Sequence, residues 1–112
     1  MIMSKRILIT GVSGFVGSHL LDLLVSNKVD FELYGIIRER SSLEKIRHNV
    51  DSIELINCDL VNLGTVLNVV KQVKPDYIYH MAGESSVKLS WGGSISTVNN
   101  NIIATLNILE AL

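Results

Sequence analysis

Residues 9–20 read Ile-Thr-Gly-Val-Ser-Gly-Phe-Val-Gly-Ser-His-Leu, and no other stretch limits the fold of this chain as tightly. Three glycines, Gly11, Gly14 and Gly17, stand three apart. Ahead of them runs Arg6-Ile-Leu-Ile-Thr10, a short, apolar, β-branched segment of the kind buried on both faces of a parallel sheet. Behind them, Phe15, Val16, His19, Leu20, Leu23 and Leu24 recur at helical spacing, which predicts a helix from residue 15 to about 26. Each glycine has a physical task in such a strand-loop-helix unit. Gly11 turns the chain sharply out of the strand. Gly14 leaves the backbone open to a diphosphate. Gly17 lets the helix approach the sheet. A glycine triplet alone is compatible with an ordinary tight turn. Between a strand and an amphipathic helix it makes a phosphate seat, because the first helical amides have no intrahelical partner and face the anion. Gly11, Ser13, Gly14, Phe15, Val16 and Gly17 are therefore candidate contacts to a dinucleotide.

The remaining pattern alternates. Residues 31–37 and 53–57 predict a second and a third strand, with a polar stretch and a short helix near residues 43–47 between them. Leu63, Val66, Leu67, Val69, Val70 and Val73 predict a helix over 63–73, stopped by Pro75. Residues 77–81 predict a fourth strand, and Ile102, Ile103, Leu106, Ile108, Leu109 and Leu112 a helix over 97–112, which Asn99, Asn100 and Asn101 would cap. This β-α-β-(α)-β-α-β-α order predicts an α/β fold, the N-terminal part of a Rossmann-type doubly wound parallel sheet, with strand order 3-2-1-4. Residues 84–96, rich in glycine and serine, are expected to be the most mobile interior stretch. The 112 residues are expected to form one partial domain, since a complete Rossmann sheet needs about six strands.

Ligands of such sheets bind beyond the strand C-termini. An acidic residue ending the second strand would accept from a ribose 2′-hydroxyl, the NAD arrangement. Asp30 and Glu32 lie at the wrong end, and Arg38 stands in that place, followed by Arg40, Ser41 and Ser42. A guanidinium there can grip a 2′-phosphate, so NADP is the expected cofactor, with NAD possible; solvated loop arginines, or pairing of either with Glu39, is the competing reading. Asp59 and Leu60 follow the third strand, where the carboxylate can accept from the adenine amino group and its neighbour pack on the ring. Met81, Ala82 and Gly83 follow the fourth, where small residues admit a cofactor.

Together these pieces resemble the extended short-chain dehydrogenase/reductase family, the nucleotide-sugar epimerases and dehydratases. The matching stretches are Thr10 to Leu20, Asp59-Leu60, His80-Met-Ala-Gly83 and the segment from Asn101 to Leu112. Arg38-Glu-Arg-Ser-Ser42, Lys74-Pro-Asp-Tyr-Ile-Tyr79 and Ser86-Val-Lys-Leu-Ser-Trp91 are similar to the GDP-mannose 4,6-dehydratase and GDP-4-keto-6-deoxymannose reductase branch. The resemblance implies NADP, and it implies that Lys88 and Ser90 lie near a cofactor or sugar-nucleotide cleft. Ala104 replaces the usual glycine of the last segment, and Ser96 falls where dehydratases carry a tyrosine. That departure favours the reductase over the dehydratase.

The family's Tyr-x-x-x-Lys pair does not occur in these residues, so no catalytic residue is assigned and the chain alone is expected to be inactive. The parent reading is an NADP-dependent nucleotide-sugar dehydratase or reductase. A non-enzymatic dinucleotide-binding module and a fragment of an NAD-dependent nucleotide-sugar epimerase are its rivals.

His19, His48 and His80 lack acidic or cysteine neighbours at metal-ligand spacing, so no metal site is expected. His19 is expected to pack in its helix and His80 to bond backbone. The single cysteine, Cys58, reads as a small buried hydrophobe and fits a reducing, cytoplasmic setting. Net charge is −1, without the basic cluster of a nucleic-acid or anionic-membrane partner, and neither a leader peptide nor an apolar run of membrane-spanning length is expected. The uncovered edge of the fourth strand and the apolar last helix predict homo-oligomers.

Overall fold

The computed structural model describes residues 4–27, 30–82 and 94–112. The elements follow in the order β1 (Lys5–Thr10), α1 (Phe15–Ser26), β2 (Phe31–Ile37), a 3-10 helical segment (Glu44–Ser52), β3 (Glu54–Asn57), α2 (Leu63–Val73), β4 (Tyr77–His80) and α3 (Ser94–Ala111). The four strands form one parallel sheet in the order β3-β2-β1-β4, as the alternation predicts. The 3-10 segment is longer than the short helix expected near 43–47. The last helix starts three residues before the expected Thr97, so Asn99, Asn100 and Asn101 lie inside its second turn and do not cap it.

β1 is central, and Ile7, Leu8, Ile9 and Thr10 are buried on both faces. Their alternation divides the core in two. Ile7 and Ile9 point to the layer of α1 and the 3-10 segment, where they meet Val12, Leu21, Ile46 and Ile53. Leu8 points the other way, into Ile36, Cys58, Val66, Val69, Val73 and Ile108 under α2 and α3. The buried residues of α1 are Gly17, Ser18 and Leu21, whereas Phe15, Val16 and Leu23 face solvent. The apolar spacing is thus rotated from the true contact face, because the buried glycine and serine carry no hydropathy signal. His19 is likewise exposed, not packed in the core, and meets Phe15 edge-on with ring centroids 4.7 Å apart. On the 3-10 side, Asp22 of α1 accepts from His48 Nε2 at 2.7 Å and from Asn49 Nδ2 at 2.5 Å.

The N-terminal end of the sheet is knotted shut. The Arg6 guanidinium donates to Glu32 at 2.8 Å and to the Val73 carbonyl at 2.8 Å. Its backbone exchanges hydrogen bonds with Asp76, N–H to Oδ2 and carbonyl from N–H. α2 is capped at its start by Asn62, whose side chain accepts from the Thr65 amide. It ends on Lys74 in the left-handed region (φ 50°), with Pro75 next. No helix among the described residues is long and apolar enough to cross a membrane.

Candidate functional site

At the opposite, C-terminal end of the strands the loops part around a cleft of about 770 Å³, within the range of small-molecule sites. The residues expected from sequence converge on it from the loops that follow the four strands. Gly11, Ser13 and Gly14 line it from the turn after β1, and Arg38, Arg40 and Ser41 from the end of β2. Asp59 and Leu60 come from the end of β3, and Met81 and Ala82 from the end of β4. Gly83, Lys88, Ser90 and most of the glycine- and serine-rich stretch lie outside the described residues.

The glycine loop is held by its backbone and by Val12, whose side chain is buried in the core. Gly11 adopts φ +65°, and a Cβ there would stand 2.7 Å from the Cα of Ala82. The turn is closed by the Gly14 amide donating to the Gly11 carbonyl at 3.0 Å. Gly17 presses on that same carbonyl so closely that a Cβ would overlap its oxygen. Gly14 differs. A Cβ there would meet only the Gly11 oxygen, at 3.3 Å. Gly14 is thus held less tightly than Gly11 or Gly17, and its exposed backbone borders the cleft.

That backbone adjoins the start of α1. Gly14 is the N-cap and has no side chain with which to satisfy the first amides, and no acid sits in the first turn. α2, at the same position in its own β-α unit, has the Asn62 cap that α1 lacks. An uncapped helix start beside an exposed glycine offers its amides and the positive end of the helix dipole to an anion. Phe15 and Val16 contribute no side chain to this cleft; they project into solvent.

The other walls are tied down. The Arg38 amide donates to Ser41 Oγ at 2.9 Å, and the Ser41 amide returns a bond to the Arg38 carbonyl at 3.0 Å. This closes a tight turn that brings both arginines to the cleft. Glu39 lines the cleft beside them. Asp30 and Glu32 sit at the far end of β2, bonded to Ser4 and Arg6. Asp59 Oδ1 accepts from the Val61 amide at 3.1 Å, and Thr65 Oγ lies 2.8 Å from the Asp59 carbonyl. Cys58 is buried beneath them, its thiol pushed up in pKa by burial and, less, by the Asp59 charge. Asn107 of α3 donates to the Leu60 carbonyl at 2.8 Å.

Sequence reasoning placed Asn101 of α3 near the site only by family likeness, and it missed Asn100 and Ala104. Asn100, Asn101 and Ala104 line the cleft, and Asn57 and Cys58 join from β3. The position of Asn57 and Cys58 at a strand C-terminus was a usable signal. For Asn100 it was hidden by the misplaced helix start. His80 also differs from expectation. Its ring bonds two side chains, Thr10 Oγ at 2.7 Å and Thr105 Oγ at 3.2 Å, where a backbone partner was expected. Burial lowers its pKa. No group of three or more potential metal ligands occurs among the described residues.

The chain is similar to known proteins in sequence and in fold. The sequence model of the family described as GDP-mannose 4,6 dehydratase matches residues 8–112. A GDP-mannose 4,6 dehydratase of Drosophila melanogaster is 33% identical, over 96% of this chain and 29% of that enzyme. A dTDP-glucose 4,6-dehydratase of Haemophilus influenzae is 31% identical, over 94% of this chain and 32% of the enzyme. The chain thus spans about a third of the length of these curated relatives. Among solved structures, the UDP-glucose 4-epimerase of Thermus thermophilus in complex with NAD superposes with a TM-score of 0.77 at 25% identity, covering 96% of this chain and 33% of that one. The UDP-glucose 4-epimerase of Thermotoga maritima, 24% identical, shares the fold with a TM-score of 0.80 over 96% of this chain and 33% of its own. With a parallel 3-2-1-4 sheet, a glycine loop in its place and a family match over nearly all its residues, the chain belongs to the GDP-mannose 4,6 dehydratase family of nucleotide-sugar dehydratases and epimerases.

Proposed function

We propose that the cleft holds NADP and that this chain is the cofactor-binding part of a nucleotide-sugar dehydratase or reductase of the GDP-mannose 4,6-dehydratase or GDP-4-keto-6-deoxymannose reductase type. The observation that carries the reading is the uncapped start of α1 beside the exposed backbone of Gly14, with Arg38, Arg40 and Ser41 on the same cleft. The pyrophosphate would rest on the amides of Phe15, Val16 and Gly17, with Gly11, Ser13 and Gly14 lining the turn. Arg38, Arg40 and Ser41 would take the 2′-phosphate. Asp59 and Leu60 would take the adenine, and Met81, Ala82 and Gly83 the approach to the nicotinamide. Lys88 and Ser90 would face the sugar nucleotide. When bound, the cofactor supplies a reversible hydride acceptor. The residues of this cleft bind and orient it. The Tyr-x-x-x-Lys pair that moves the proton in this family is not among these 112 residues, so the chain by itself is inactive in this reading.

A second reading, an NAD-dependent epimerase, is favoured by Glu39 in the same cleft and by the likeness to an epimerase in complex with NAD. Calorimetric titration with NADPH and NADH separates the two. Tighter NADPH binding supports the first, and tighter NADH binding the second. No saturable binding of either by folded protein refutes both. Exposed Ile102, Leu106 and Leu109 on α3, and Tyr77 and Tyr79 along β4, support a homo-oligomer. Size-exclusion chromatography giving only monomer at high concentration overturns that part.

A further inference from the structure

The hydroxyl of Thr10 is fully buried and lies between two partners. It accepts from the Ala82 amide at 3.1 Å and lies 2.7 Å from His80 Nδ1. On the other side of the imidazole, Nε2 lies 3.2 Å from Thr105 Oγ, which donates to the Asn101 carbonyl at 3.0 Å. These atoms join the end of β1, the end of β4 and the cleft-lining turn of α3. The hydrogens can be placed by counting. A threonine hydroxyl has one proton and must aim it at an acceptor. The Ala82 amide is a donor, so the only acceptor left to Thr10 among the described residues is Nδ1. Nδ1 is then bare, and the ring proton sits on Nε2, where Thr105 accepts it and passes its own to Asn101. In the opposite tautomer, or in the imidazolium, Nδ1–H would aim at Thr10 and strand a buried hydroxyl proton, which disfavours either form by a population ratio of roughly ten to one or more.

We propose that Thr10, His80 and Thr105 form a one-way hydrogen-bond relay that locks His80 as the neutral Nε2–H tautomer and so holds the Ala82 amide and the Asn101–Ala104 turn of α3 as fixed walls of the cleft. His80 and Thr10 are positioning residues, since neither lines the cleft. The role in ligand binding rests on the dinucleotide reading above; the tautomer does not. Burial, which lowers the pKa of His80, agrees with a neutral ring.

The relay is tested on the full 15N-labelled chain by long-range imidazole 1H–15N correlation, with His80 assigned by loss of its signals in His80→Asn. A pyridine-type Nδ1 and a pyrrole-type Nε2 are expected. The reverse pattern, or shifts averaged between tautomers, overturns the proposal. Thr10→Val removes the donor and should release the tautomer and speed exchange of the Ala82 amide by roughly tenfold, the worth of one hydrogen bond. Thr10→Ser should restore both, and its failure to do so overturns the relay. Where Thr10→Val does not fold, the wild-type spectrum and Thr10→Ser still decide. NADPH affinity should fall in Thr10→Val and recover in Thr10→Ser, and equal loss in both refutes the positioning role. A wild-type chain that binds no dinucleotide but shows the Nε2–H pattern refutes the cofactor reading and leaves the relay standing.

Discussion

Gly17→Ala and Gly14→Ala differ by the same methyl group, three residues apart, and should fail in different ways. At Gly17 a Cβ would overlap the Gly11 carbonyl oxygen and stand 2.9 Å from both the Gly11 carbonyl carbon and Val12 Cα. All three are backbone atoms, so no side chain can swing aside and α1 itself must retreat. Overpacking costs about 1–3 kcal/mol, and a rigid obstacle puts this case near 3 kcal/mol. Alanine's better helix propensity offsets about 1 kcal/mol, leaving a net loss of about 2 kcal/mol. In a chain of this size that lowers Tm by roughly 10 °C. At Gly14 the added methyl meets a single oxygen at 3.3 Å, and the backbone (φ −79°, ψ 179°) suits any residue. Alanine is a poorer N-cap than glycine and its methyl presses lightly on that oxygen, so stability should fall by about 0.5–1 kcal/mol, less than at Gly17. The methyl would, however, occupy the approach to the first amides of α1, so NADPH affinity should fall at least about tenfold, or ~1.4 kcal/mol. Denaturant unfolding followed by circular dichroism gives the first quantity, and calorimetric titration the second. A Gly17→Ala protein as stable as its parent would refute the packing argument. A Gly14→Ala protein that binds NADPH normally would show that the exposed backbone of Gly14 is not where the phosphates go.

Four other substitutions or conditions test separate parts of the reasoning. Arg38→Ala should weaken NADPH by roughly ten- to a hundredfold, the worth of a charged hydrogen bond, with little change for NADH; equal losses for both in parallel titrations would remove Arg38 from the 2′-phosphate site. Lys74→Gly relieves a left-handed residue at the end of α2 and should stabilise the chain by about 0.5–1 kcal/mol in urea unfolding. His80 is held neutral by burial, so the unfolded chain takes up its proton first as pH falls below about 6.5, and the stability tied to the neutral ring declines through the lowered folded pKa. His80→Asn should lose that part of the slope when unfolding is compared at about pH 7.5 and pH 5.5. Burial raises the Cys58 thiol pKa, so alkylation by iodoacetamide should run slower than for a free thiol and slower again with NADPH present; a rate equal to that of free cysteine would contradict its burial.

The parts of this fold that are legible in sequence are those where one physical constraint outweighs the rest. β1 sits between two helical layers and can only be apolar, so its pattern is plain. The glycine loop is legible because positive φ at Gly11 and backbone contact at Gly17 exclude other residues. Legibility fails where packing uses residues without hydropathy. α1 buries Gly17 and Ser18 and exposes Phe15 and Val16, which inverts the signal that hydrophobic spacing relies on. The start of α3 is misplaced by sequence because asparagine favours caps, whereas Asn100 and Asn101 face the cleft from within the helix. The partners of His80 come from residues 70 positions before it and 25 after it, a proximity no local pattern records.

The two ends of the sheet divide the work of stability and binding between them. At the N-terminal end, the charged and polar groups of Arg6, Glu32 and Asp76 are consumed by one another and by the Val73 carbonyl. At the C-terminal end, polar groups are tied by one bond each and still border open space: Asp59 to the Val61 amide, Ser41 to the Arg38 amide. Topology imposes this asymmetry. In a parallel sheet every strand delivers its following loop to the same end. Because β1 has β2 on one side and β4 on the other, the loops after β1 and β4 must part, and the crevice forms between them. The close seat of Gly11 against Ala82 is where these two loops touch before they diverge. A side chain at Gly11 would therefore pry the crevice open at its root as well as strain the turn. For this reason Gly11→Ala should lose both stability and dinucleotide affinity, where its neighbours three and six residues on each lose chiefly one.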